Sequence, residues 1–175
     1  MIMRPGQQLL LPANPLFIWS SMLIALLVNI ILSTALGRSA WIPDILAITL
    51  VFWAVHQPSR VGIGVAFTFG LFVDVHQAAL LGQHAWSYTA LSFFAITIHR
   101  RLLWFSVPSQ ALQVFPLFLA AHALELLVRM IGSGVFPSFS IILAPILEAL
   151  LWPLVSIVLL APQRRAPDPD ANRPL

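Results

Sequence analysis

A chain of 175 residues that is 59% hydrophobic and only 9% charged, with a mean hydropathy of +0.92, is excluded from the ordinary soluble domains. These carry roughly 25% charged residues and keep much of their surface wet. Cysteine is absent, which excludes disulfides, thiol nucleophiles and thiolate metal sites, and a net charge of +3 spread over nine scattered arginines is too weak for a nucleic-acid-binding face.

Lipid as solvent removes the conflict between composition and folding. The expected architecture is an all-α polytopic membrane protein, a compact bundle of six transmembrane helices. Residues 1–15 form a cytoplasmic N-terminal segment, 16–161 the bundle, and 162–175 a tail whose Pro, Asp, Arg and Ala content predicts disorder. The first helix, 16–36, starts where Asn14 supplies a capping amide ahead of Pro15. Ser33-Thr34-Ala35 is a weak echo of a signal-peptide cleavage site, but the apolar run is too long for one and is expected to be retained. The second helix spans 42–56, with Asp44 after Pro43 at its start. The third, 61–81, repeats Gly62, Ala66, Gly70 and Asp74 every four residues. Small residues at that spacing let another helix approach closely, so Gly62, Ala66 and Gly70 are the expected packing face. The fourth helix covers 85–99. The fifth, 109–131, begins at Ser109 after Pro108 and contains Pro116. The sixth, 139–161, follows Pro137-Ser138 and contains Pro145 and Pro153. Prolines inside membrane helices kink them, and neighbouring helices satisfy the freed carbonyls. The first, third, fifth and sixth segments reach the ~20 residues a span needs. The second and fourth, about 15 residues each, are short; they cross where the bilayer thins or are partly re-entrant.

Arginine placement sets the orientation. Six spans put Arg4, Arg60, Arg100, Arg101, Arg164, Arg165 and Arg173 on the cytoplasmic side and Arg38 and Arg129 outside, seven against two, so both termini face inward. Tryptophans mark the interfaces independently: Trp19, Trp53 and Trp104 the inner one, Trp41 and Trp86 the outer one. Trp152 is deeper and packs between helices.

Six ionisable residues interrupt the apolar runs: Asp44, Asp74, His122, Glu125, Arg129 and Glu148. Charge in hydrocarbon is costly, so these groups face the bundle interior or an interface, and the six-span order gathers them in its outer half. His122, Glu125 and Arg129 share one helix face, and Glu125 pairs with Arg129 as i, i+4 neighbours with the acid N-terminal. This reads as an internal salt bridge or as a partner or ligand site. Asp44 reads as the cap of the second helix. Asp74 has no such local role, so it either bonds a neighbouring helix or contacts a ligand.

His76 and His84 with Asp74 match no metal-ligand spacing, so no metal or other cofactor is expected. An aspartyl-protease pair needs two carboxylates sharing a proton, and only Asp44 and Asp74, on different helices, offer one. Glu125-x-x-x-Arg129 is a weak glutamate-protease echo. No Gly-x-Ser-x-Gly, His-Glu-x-x-His or phosphate-binding loop occurs. The chain is not expected to be an enzyme.

Three stretches belong together: Trp41-Ile42-Pro43-Asp44-Ile45-Leu46 running into Phe52-Trp53; Arg60 and Gly62, then Gly70-x-x-x-Asp74, then Leu81-Gly82; and Leu150-Leu151-Trp152-Pro153 before a basic tail. In this order the chain resembles the rod shape-determining protein MreD family over about residues 16–165. Pro43, Asp44, Gly70, Asp74 and Gly82 are the matching positions. The resemblance implies a non-catalytic inner-membrane scaffold or regulator of cell elongation and lateral peptidoglycan synthesis. It implies as partners a bitopic MreC-like protein, an actin-like MreB protein and the peptidoglycan synthases. The family is also distantly similar to the six-helix substrate-binding subunits of energy-coupling-factor transporters, which implies the alternative of a small-molecule- or lipid-binding membrane subunit. Their first helix carries Ala-x-x-x-Ala; here Ala25 is followed four residues later by Asn29, against that alternative.

Overall fold

The computed structural model of the protein describes residues 13–37, 41–133 and 142–163. Arg4, Arg38, Ser138, Arg164, Arg165 and Arg173 lie outside those residues, as does the tail beyond Gln163. Among the described residues six α-helices follow one another: α1 (Pro15–Ala35), α2 (Ile45–His56), α3 (Ile63–Gln77), α4 (Gln83–Leu102), α5 (Val107–Ser133) and α6 (Leu143–Leu160), the last running into a short 3₁₀ turn over Ala161–Gln163. They form an all-α bundle. Among the described residues three helical stretches are long and apolar enough to cross a membrane: Pro15–Ala35, Val107–Gly132 and Leu143–Gln163.

At α1 the Asn14 side chain accepts the Leu16 N–H at 3.0 Å, and Pro15 takes the first helical position, where its missing N–H costs nothing. α2 is apolar on every side, and its residues 46–55 are all buried; a helix of that composition belongs in the interior. It packs against α1, α4 and α6. At 12 residues it is about 18 Å long at 1.5 Å per residue, and it is enclosed by longer neighbours rather than by lipid.

The sequence-based lengths of the next two helices are exchanged. α3 is the short one, 15 residues rather than the whole of 61–81, and α4 runs for 20 rather than over 85–99. The short helices are thus the second and third. The reason is the turn between α3 and α4. Ala78 adopts the left-handed conformation at φ 47°, and the Ala79 N–H returns to the Asp74 carbonyl at 3.0 Å, a left-handed helix stop. Gly82, at φ 102°, then lets α4 start at once.

The outer surface is apolar, as lipid contact requires. Leu23, Ile24, Leu27 and Ile31 on α1 are 53–63% exposed, and Leu150, Leu154 and Val158 on α6 are 61–69% exposed. Trp53 is not an interfacial residue: it is fully buried and donates its indole N–H to Ser21 Oγ of α1 at 2.8 Å. Trp152 is also fully buried, and its indole N–H reaches Gln110 Oε1 of α5 at 3.2 Å. Pro116 and Pro153 lie inside α5 and α6. Pro145 falls in the first turn of α6, where no intrahelical bond is lost, so it does not kink the helix.

Candidate functional site

Two polar clusters occupy the same end of the bundle, and between them they draw on all six helices. The first is built around the start of α2. Asp44 Oδ1 accepts the Ala47 N–H at 2.9 Å, which satisfies one of the helix's first free donors. The same oxygen accepts Asn29 Nδ2 of α1 at 2.5 Å, while Asn29 Oδ1 accepts the Ile45 N–H at 2.9 Å. Asp44 Oδ2 accepts the Tyr88 hydroxyl of α4. The Asp44 backbone N–H donates to Glu148 Oε1 of α6 at 3.0 Å. His122 of α5 completes the chain: Nε2 lies 2.7 Å from Glu148 Oε1 and Nδ1 3.4 Å from Glu125 Oε2. Five helices are therefore tied by side chains that hydrocarbon does not otherwise accommodate.

The second cluster joins α3 to α4. The four residues before Asp74 lead back to Gly70, where an added Cβ would lie 2.4 Å from Ala85 Cα and 2.8 Å from the His84 carbonyl carbon. The backbones touch there, and only glycine fits. That contact lays the start of α4 over the last turn of α3. The Asp74 carboxylate, fully buried, then receives the Gly82 N–H on Oδ2 at 2.8 Å and the His84 N–H on Oδ1 at 2.8 Å, with Ala85 N at 3.4 Å. The His84 ring Nδ1 also lies 2.8 Å from Oδ1. Gly82, the residue at the N-cap of α4, has no side chain to do this. Asp74 thus caps a helix to which it does not belong, in the electrostatic setting that favours an anion. The spacing Gly70-x-x-x-Asp74 followed by Gly82 is the sequence trace of this joint: close approach, borrowed cap and left-handed turn.

The other candidates distribute as follows. Ala66 is buried. At Gly62 an added Cβ would meet nothing within 4 Å, because Gly62 precedes α3 at its N-cap and lies short of the packed stretch. Glu125 contacts His122, one turn earlier on the same helix, and Arg129 lies on the exposed side of α5. No hydrogen bond joins Asp44 to Asp74; each carboxylate has its own set of donors, so the shared-proton pair of an aspartyl protease is not formed. Among the described residues no group of three or more His, Asp or Glu is arranged to hold a metal ion. Asn29 and Tyr88 were not among the expected site residues. Their signals were present: an amide inside an apolar run, and the only tyrosine in the chain.

An apolar exterior around a bundle whose buried carboxylates bond helix to helix defines a multi-pass helical membrane protein. The model of one family, the rod shape-determining protein MreD, matches residues 13–162, and the chain belongs to that family. It is a non-catalytic membrane component of the rod-shape, or elongation, system. No solved structure matches the chain.

Proposed function

We propose that the protein is an intramembrane scaffold of the elongation machinery, in which all six helices cross the bilayer and both termini lie in the cytoplasm. α2 crosses inside a shell of longer helices, so its shortness costs no exposure of polar backbone to lipid. Arg60, Arg100 and Arg101 fall at the end opposite the carboxylates, and their asymmetry supports a cytoplasmic assignment for that end. The observation that carries the reading is the use of Asp44, Asp74 and Glu148: each is bonded to a neighbouring helix. The buried polar groups hold the bundle as one body, which leaves its apolar exterior for the transmembrane helix of an MreC-like partner. An MreB-like cytoskeletal protein and the peptidoglycan synthases join through that pair.

Affinity purification of the tagged protein from bacterial membranes in mild detergent, with mass spectrometry of the eluate, tests this. Co-purification of a bitopic MreC-like protein is the expected result. Recovery instead of an ATPase module with a bound small molecule would overturn the scaffold reading in favour of a transporter subunit. Rebuilding the exposed apolar side chains beside Pro116 on α5 and Pro153 on α6 is expected to reduce partner recovery, with the purified variant still folded.

A further inference from the structure

The end of the bundle opposite the carboxylates carries a second feature that the scaffold role does not use. The last turn of α4 ends in Arg100 and Arg101, both exposed. The described carboxylates Asp44, Asp74, Glu125 and Glu148 all belong to the far end, so neither arginine has an ion-pair partner among the described residues. Arg60, the third described arginine at this end, differs: its Nη1 donates to the Ala13 carbonyl at 3.0 Å and fastens the α2–α3 turn to the start of α1. In the turn after α4, Leu103 is 41% exposed, Phe105 44% and Trp104 82%, so the indole stands clear of the protein. Back along α4, Phe93, Thr97 and the two arginines follow at helical spacing on one side. Phe93 and Phe94 are half exposed.

We propose that this α4–α5 elbow binds the headgroup of an anionic phospholipid. Arg100 and Arg101 take the phosphate, Trp104 sits at the headgroup level, and one acyl chain lies along Phe93 and Phe94. Guanidinium groups recognise phosphate oxygens through paired N–H donors, and tryptophan favours the membrane interface. An apolar stripe leading from the cations into the bilayer suits a lipid rather than an acidic soluble protein, which has no use for it.

The test uses the full chain purified in mild detergent and exposed to phosphatidylglycerol or phosphatidylcholine, with retained lipid counted by native mass spectrometry. Each arginine near an anionic headgroup is expected to favour retention about fivefold, so the pair should favour phosphatidylglycerol by about thirtyfold. R100Q/R101Q should abolish that preference, and R100K/R101K, which keeps the charge and guards against a folding defect, should keep most of it. Equal retention of the two lipids by the unmodified protein would overturn the proposal. So would an unchanged preference in R100Q/R101Q, or an acidic protein co-purifying through the two arginines with no lipid retained.

Discussion

α2 and α4 both begin against an aspartate carboxylate, half-buried at Asp44 and fully buried at Asp74, and the two starts are made differently. At α2 the cap is local: Asp44 accepts the N–H of Ala47, three residues on, and uses its remaining capacity on Asn29 and Tyr88. At α4 the cap is borrowed: Asp74, on the preceding helix, accepts the N–H groups of Gly82 and His84, eight and ten residues on. A local cap orders a helix end. A borrowed cap orders a helix end and also fixes its position against another helix, so the α3–α4 joint depends on its residues more steeply than the start of α2 does.

The largest effect should come from filling the contact that makes the borrowed cap reachable. Gly70→Leu places its side chain into the Ala85 backbone and should cost more than the 1–3 kcal/mol typical of overpacking; unfolding in detergent, followed by helical circular dichroism, reads this. Gly62→Ala, eight residues earlier on the same repeat and facing open space, should stay within about 0.5 kcal/mol. Equal losses at the two glycines would break the account of the joint.

Asp74→Leu should follow, at about 2–4 kcal/mol, because buried N–H donors lose a charged acceptor. Asp74→Asn should cost about half as much: its amide oxygen serves one side of the joint, but its NH₂ cannot accept from the other. Asp44→Asn should cost least of the three carboxylate changes, about 0.5–1 kcal/mol. The amide oxygen still caps Ala47, and the Tyr88 hydroxyl can turn to accept. If Asp44→Asn and Asp74→Asn cost the same in one detergent titration, the contrast between local and borrowed caps fails.

The smallest effect is a gain. Ala78 holds a left-handed conformation at φ 47° that glycine adopts without steric cost. Ala78→Gly should stabilise the joint by about 0.5 kcal/mol, visible as a small rise in the detergent melting midpoint. A loss there would mean that the Ala78 methyl contributes packing that outweighs the strain.

Local chemistry in this chain was legible before any tertiary structure. Asn14-Pro15 marks the start of α1, Asp44 after Pro43 marks the start of α2, and six apolar runs mark six helices. Each of these signals acts over a few residues, through a cap, a fixed φ or hydropathy. The lengths of α3 and α4 were not legible, because the apolar run continues past Gln77 and is ended by the left-handed turn at Ala78, with the Asp74 carboxylate receiving the first N–H groups of the next helix. Helical spacing places His122, Glu125 and Arg129 on one face of α5. In the bundle the His122 ring stands between Glu125 and Glu148, and α6 supplies a partner that no spacing within α5 reveals. Trp53 was expected at an interface because it lies near a helix end. It is buried because α2 is the helix the others enclose.

The sequence by itself determined that the chain is a membrane protein of helices and to which family it belongs, since hydropathy and motif order depend only on the order of residues. The tertiary structure alone decided that α2 is the enclosed helix, that Asp44, Glu148 and His122 form one chain across three helices, and that Asp74 caps α4. These depend on which surfaces meet. In lipid, where apolar contact favours no particular neighbour, it is the few polar groups and close glycine contacts that select them.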